Sequence, residues 1–249
     1  MSEKHLLVDI GNSAIKYCLE SDLQNERVDA LNHGEGDFIE KLADLHGTTP
    51  LDSLSLSSVY QADFTAQIKS WCNKHQVRFY QATSQSKSGD LKNGYTDAQQ
   101  LGTDRWLAMI AVREQTKSPF FVVSCGTAVT FDAVASSGQH LGGAIIPGLA
   151  LMQRSLSEKT IALQVEHDLI ATQNKLALDT STAIANGTTM AITGFIEKMA
   201  DMTNMELKQG ILTGGYASLL AMVIGADIKV SPSLVLKGLA INSREKSLT

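Results

Sequence analysis

Residues 6–19 read LLVDIGNSAIKYCL, and residues 121–134 read FVVSCGTAVTFDAV. The two stretches align without a gap. Each has an apolar run of three, a polar residue, one spacer, a glycine, a small polar residue and then a second strand-like run. A strand followed by glycine and a small polar residue lets backbone N–H groups approach an anion closely, because no bulky side chain stands in the way. Two copies of one strand–turn–strand unit, about half the chain apart, predict an α/β protein of two similar halves facing each other across a cleft. Short hairpins also recur by chance, so the repeat alone does not decide the matter.

The rest of the composition bounds the reading. A length of 249 residues suits one large domain or two small ones. With 43% apolar and 19% charged residues the chain is neither disordered nor fibrous. The formal net charge is -5 and Lys and Arg do not cluster, which argues against a nucleic-acid partner. No apolar run is long enough to span a membrane. The N-terminal MSEKHLLVDI enters a strand directly, without a signal-peptide core, so a cytoplasmic location is expected. Cys18, Cys72 and Cys125 are scattered and odd in number; they read as small buried residues rather than disulfides or zinc ligands.

Outward from the first stretch, Leu54–Val59 and Val77–Gln81 are further strand candidates. Between them Phe64, Ile68, Trp71 and Cys72 recur at helical spacing. The polar stretch 83–100 reads as a loop. Thr103 is placed to cap a helix running to about Gln115, with Leu107, Ile110 and Ala111 on one face, and Pro119 ends it. Gly142, Gly143 and Pro147-Gly148 mark a tight segment before a helix. Helices are also expected over Ala183–Met202 and Tyr216–Ile224.

Three loops carry candidate chemistry. In the first, Asp9, Gly11, Asn12, Ser13 and Lys16 combine a permissive turn with a carboxylate at a strand end and a cation. Asp9 suits a hydrated Mg²⁺, which typically takes one or two carboxylates plus phosphates, and Lys16 suits phosphate charge; a plain hairpin turn accounts for the pattern equally well. The second, Ser124, Gly126 and Thr127, repeats the glycine-plus-hydroxyl chemistry. The third, Thr213-Gly214-Gly215-Tyr216, joins a strand to a helix, where paired glycines admit a flat base or a phosphate, or simply make a tight connection. Neither a Walker A motif nor a GxGxxG loop is present. Gly102-Thr103-Asp104-Arg105 opens the predicted helix. There the helix dipole favours an ionised Asp104 able to accept an alcohol proton, and Arg105 offers a planar fork for a carboxylate or phosphate. From spacing alone, the same four residues also read as a helix cap with a local Asp–Arg pair.

Read together, the loops resemble those of the acetate and sugar kinase, Hsp70 and actin superfamily, and within it the type III pantothenate kinases. The family pattern DxGN[ST]xxK matches 9–16, Tyr-x6-GxDRW matches Tyr95 and 102–106, GTAxT matches 126–130 and GGxIxPG matches 142–148. A threonine seven residues before a glycine matches Thr180 and Gly187. The resemblance implies two ribonuclease-H-like domains of the actin-like ATPase fold. The expected division is 1–116, with the first phosphate loop and the pantothenate site, and 117–249, with the second phosphate loop and the adenosine loop.

The implied reaction is ATP-dependent phosphorylation of pantothenate to 4'-phosphopantothenate, the first step of coenzyme A biosynthesis. Asp9, Gly11, Asn12, Ser13, Lys16, Gly126, Thr127, Gly214 and Gly215 would contact ATP and its Mg²⁺, with Asp9 on the metal. Asp104 would be the base on the primary hydroxyl, and Tyr95, Gly102, Thr103, Asp104, Arg105 and Thr180 would line the pantothenate site. Arg105 would meet the carboxylate. The resemblance also implies a homodimer and a monovalent cation, K⁺ or NH₄⁺. Where the family pattern has Asp ahead of GTAxT this chain has Ser124, which predicts a weakened monovalent-cation site; where it has Pro, this chain has Ala98. The competing readings are a nucleotide-binding regulatory protein of the same fold and a kinase acting on a sugar, acetate or polyphosphate. Tyr95 with GTDRW and Thr180 argue against the latter.

Overall fold

The computed structural model describes residues 3–158, 176–225 and 227–247. By its internal contacts the chain divides into two units, Met1–Thr116 with Ser233–Thr249, and Lys117–Pro232.

In the first unit, β1 (His5–Ile10), β2 (Ala14–Leu19) and β3 (Asp29–Asn32) form an antiparallel meander. Helix α1 (Phe38–Thr48) then leads to β4 (Ser53–Ser58), and α2 (Ala62–Lys74) to β5 (Arg78–Gln81). Both strands add in parallel, giving the order β3-β2-β1-β4-β5. Strand alternation sorts the side chains. Leu6, Val8 and Ile10 of β1 and Leu54 and Leu56 of β4 join a core with Phe38 and Leu42 of α1 and Ile68, Trp71 and Cys72 of α2. The opposite face carries His5, Leu7, Asp9 and the alternate serines of β4. Helix α1, not anticipated from the sequence, is capped by Asp37, whose carboxylate accepts from the Ile39 N–H at 2.7 Å.

The stretch expected as a plain loop holds a two-strand hairpin, β6 (Lys87–Ser88) with β7 (Leu91–Lys92), and a 3-10 turn at Ala98–Gln100. Helix α3 spans Thr103–Gln115, but its N-cap is Gly102 rather than Thr103. A Cβ at Gly102 would lie 2.7 Å from Oδ1 of Asp104, so the carboxylate in the first turn occupies the space a capping side chain would need.

The second unit repeats the first. β8 (Phe120–Cys125), β9 (Ala128–Val134) and β10 (His140–Pro147) form the meander, and β11 (Gly210–Thr213) and β12 (Lys229–Val230) add in parallel, in the order β10-β9-β8-β11-β12. Helices α4 (Leu149–Glu158) and α5 (Thr180–Met202) precede β11, and α6 (Ala217–Ile224) joins it to β12. Gly142 and Gly143 lie inside β10, at and after a register shift, so the tight segment begins only at Gly148. Ile10 pairs with Ile15 across the first turn, whereas Cys125 pairs with Val129 across the second. The second turn is therefore one residue shorter, and the gapless sequence alignment slips by one beyond it. With that residue allowed for, Ile15 and Tyr17 match Val129 and Phe131, and each pair lies in the core of its own unit.

The last helix, α7 (Leu234–Ser247), corrects the expected 117–249 domain: it packs with the first unit, against α3, β1 and β4. The reason is specific. Asn242 accepts from Tyr80 Oη at 2.8 Å, Glu245 from Ser88 at 2.8 Å, Lys237 pairs with Glu26 at 2.8 Å, and Arg244 pairs with Glu20. Gly238 lets the helix lie against Leu107, where a Cβ would come within 1.9 Å of the backbone oxygen.

Candidate active site

Asp9 sits near the end of β1, the central strand of its sheet, with Lys16 directly opposite on β2 and Ser57 directly opposite on β4. Facing residues share a side of the sheet, so Lys16, Asp9 and Ser57 form one polar rung. The turn that follows is closed by Gly11 N–H to Ala14 C=O at 3.0 Å. His33, stacked on Tyr60 at 4.3 Å, braces it through Nε2 on the Gly11 carbonyl at 2.8 Å, while its own N–H donates to the Ser13 carbonyl. Asn12 and Ser13 are exposed at the tip. Nothing in the sequence spacing of His33 reveals this brace.

Asp104 reaches the same place electrostatically from the start of α3. Burial first, and the charge of Asp104 second, push Asp9 up to about 6, against the opposing pull of the Ser57 hydroxyl and the Lys16 ammonium. Two carboxylates 95 positions apart in the sequence are thus neighbours in charge. Arg105, buried, donates from Nη1 to Tyr95 Oη at 3.0 Å, and its guanidinium lies 5.7 Å from the centre of that ring. Asn93 shapes the Tyr95 loop: its Oδ1 accepts from the Tyr95 N–H at 2.9 Å and its Nδ2 donates to Gln85 and Ala98 carbonyls. Arg113 grips Asp90 with two hydrogen bonds, of 3.1 and 2.7 Å, and ties α3 to the neighbouring hairpin.

In the second unit the equivalent rung is Thr130, Ser124 and Thr213, hydroxyls throughout. Around the end of β8 two other loops close in. Gly148 donates to the Thr127 carbonyl at 2.9 Å, and a Cβ there would lie 2.1 Å from the Gly126 oxygen. Gly214, at φ +94, brings its loop onto Cys125, with the Tyr216 N–H donating to the Cys125 carbonyl at 3.1 Å; a Cβ on Gly214 would be 2.5 Å from that oxygen. Around Gly215 there is open space. The structure thus brings together Ser124, Gly126, Thr127, Gly214 and Gly215. Thr180, at the exposed start of α5, lines a groove of about 450 Å³ with Met152, Leu156, Ile184 and Gly187, and none of those loop residues lines it. The three cysteines are free and buried, and burial pushes their thiols up to between about 11 and about 12, which removes them as nucleophiles.

Among the described residues no group of three or more His, Cys, Asp and Glu could hold a metal ion unaided. Asp9, with Asp104 nearby, offers the sparse carboxylate set of a hard divalent cation that arrives on phosphate and keeps its waters, so the residues present fit such an ion. No helix of the described residues is long and apolar enough to cross a membrane.

A repeated five-stranded unit of this order, with a turn after the first strand of each copy, defines an actin-like ATPase or sugar-kinase fold. Solved structures agree. A Campylobacter jejuni protein assigned to the Baf family of transcriptional activators superposes with a TM-score of 0.66 at 21% identity, covering 98% of this chain and 100% of that one. The ethanolamine utilization protein EutJ of Carboxydothermus hydrogenoformans gives 0.54 at 10% identity, over 97% and 90%. At such identities the likeness concerns the fold.

The sequence profile of the type III pantothenate kinases matches residues 5–202, and the chain belongs to that family. A type III pantothenate kinase of Nitrosococcus oceani is 31% identical over 252 residues, spanning 97% of this chain and 94% of that protein.

Proposed function

We propose that this chain transfers the γ-phosphoryl group of ATP to the primary hydroxyl of pantothenate, the opening reaction of coenzyme A biosynthesis, with Asp104 as the base. The observation that carries the assignment is that Asp9, at the strand end before a glycine turn, feels the charge of Asp104, which stands at a helix start next to the buried Arg105 and its Tyr95 partner. Phosphoryl transfer passes through a loose transition state, so the protein's task is positioning and charge neutralisation. Gly11, Asn12 and Ser13 present the first turn to the phosphates and Lys16 neutralises charge beside it. Gly126 and Thr127 form the second turn, and Gly214 with Gly215 leaves room for the adenosine. Asp9 would hold the divalent cation, Mg²⁺, which when bound supplies charge neutralisation to the phosphate tail.

Asp104 orients the attacking hydroxyl and takes its proton. Arg105 meets the pantothenate carboxylate through its planar fork, and Tyr95 steadies that fork; Gly102, Thr103 and Thr180 complete the substrate contacts. The all-hydroxyl rung at Ser124 supports a weakened site for K⁺ or NH₄⁺. Exposed Leu151, Leu156 and Met190 on α4 and α5 support a homodimer formed over that face. The net negative charge speaks against nucleic acid as a partner, and a cytoplasmic biosynthetic role follows from the reaction.

The test is conversion of pantothenate to a product heavier by one phosphoryl group, with ATP and Mg²⁺, by the wild-type chain and by Asp104→Asn. The wild type should form product and the folded variant should not. A variant near wild-type kcat overturns the assignment of the base.

A further inference from the structure

Strand β4 carries four serines, and three have clear partners. Ser53 donates to Glu3 at 2.7 Å, Ser55 lies 2.8 Å from His5 Nε2, and Ser58 accepts from the Tyr60 N–H at 3.2 Å. Ser57 differs. It is wholly buried, it faces Asp9 across the β1–β4 pair, and its Oγ makes no hydrogen bond of normal geometry. A buried hydroxyl left without a partner is destabilising, and alanine at this position would avoid the penalty. Ser57 is nevertheless close enough to Asp9 to oppose the rise in its pKa. The hydroxyl thus stands beside the carboxylate across the β1–β4 pair, with no other group to bond.

From this we infer that Ser57 is a positioning residue for phosphoryl transfer, whose hydroxyl donates to one oxygen of Asp9 when the nucleotide and its divalent cation engage that carboxylate. Lys16 flanks Asp9 on the opposite strand, so the acid has a polar neighbour on each side of β1. One oxygen is fixed by the rung and the other is left for the incoming cation and its waters. The inference rests on the reading of Asp9 given above, and it assigns to the strand beside the phosphate turn a role in cation–nucleotide affinity.

The experiment compares wild type, S57A, S57T and S57V. Thermal unfolding of the metal-free proteins comes first: S57A should melt close to the wild-type temperature, since losing the weak pull on Asp9 is offset by removing a buried hydroxyl without a bond of normal geometry. Calorimetric titration with ATP in Mg²⁺ should then weaken about five- to tenfold in S57A, while titration with ATP in EDTA stays unchanged. In turnover, the concentration of Mg²⁺ needed for half-activation should rise by the same factor, with kcat changed less than twofold. S57T, which restores the hydroxyl, should recover Mg²⁺ dependence relative to its isostere S57V. Wild-type Mg²⁺ dependence in S57A, or equal behaviour of S57T and S57V, overturns the inference. So does a lowered melting temperature in S57A with unaltered binding, which would make the hydroxyl a structural group. A wild-type chain that neither binds Mg²⁺–ATP nor turns over would instead refute the reading of Asp9 itself.

Discussion

Asp9 illustrates how function sets itself against stability at a single residue. Its folded-state pKa of about 6 lies above the ordinary 3.8, so between those values the folded chain holds a proton that the unfolded chain has released. The residue's favourable contribution is complete below pH 3.8 and is lost as the pH rises through 6. At pH 8 the ionised, crowded carboxylate is therefore a burden on the fold. Asp9→Asn should raise stability at pH 8 by on the order of 2 kcal/mol, read by chemical denaturation, with the gain vanishing near pH 4. The same variant should lose nucleotide-dependent activity. A destabilised Asp9→Asn protein at pH 8 would contradict the electrostatic account. If Asp9 holds the cation as proposed, affinity for Mg²⁺–ATP in the wild type should fall as the pH drops below 6, because the cation would have to displace that proton. Asp104→Asn removes the proposed proton acceptor and should lower kcat by about 10²–10⁴-fold while leaving the melting temperature near wild type.

At the scale of elements, the parts most legible in the sequence were those with a local signature. The turn at 11–13 announced itself through glycine, asparagine and serine after an apolar run, and the helix over 103–115 through its spacing. What stayed hidden depended on neighbours. SLSLSS gives no hint of which serine lacks a partner, because that is decided by what the facing strands carry. Thr103 looked like a cap because threonine usually caps; Asp104 folding back over Gly102 takes the position instead. Helix α7 buries Leu234, Leu236, Leu239 and Ala240, but apolar residues alone do not say which sheet a helix will cover, and the choice rests on Tyr80, Ser88, Glu20 and Glu26, all far away in the chain.

The contact of α7 with α3 yields a prediction of its own. Gly238→Ala places a Cβ 1.9 Å from the Leu107 carbonyl oxygen, backbone that cannot move aside. The substitution should cost about 3 kcal/mol or more. It should also raise KM for pantothenate, since α3 presents Asp104 and Arg105. A Gly238→Ala chain with wild-type stability and KM would show that α3 is positioned by something other than this packing.

Across the whole molecule, one supersecondary unit is used twice with different chemistry. The first copy carries a charged rung of Lys16, Asp9 and Ser57, and the second a neutral rung of Thr130, Ser124 and Thr213. The charged groups thus belong to the first copy, and the glycine-lined close approaches at Gly126, Gly148 and Gly214 belong to the second. The neutral rung also predicts how the chain responds to salt. Replacing K⁺ by Na⁺ should change the wild-type rate little, whereas Ser124→Asp should introduce a marked stimulation by K⁺ or NH₄⁺; a strong K⁺ requirement in the wild type would show that hydroxyls alone hold the cation. The sequence repeat foretold the duplication, but its gapless alignment concealed the shorter second turn, which only the strand register reveals.

The most direct test of the account is a mass-resolved assay of pantothenate incubated with ATP, Mg²⁺ and the purified wild-type chain. 4'-Phosphopantothenate should form in proportion to ADP. ATP binding by a folded chain with no phosphorylated pantothenate, under any monovalent cation, would contradict it.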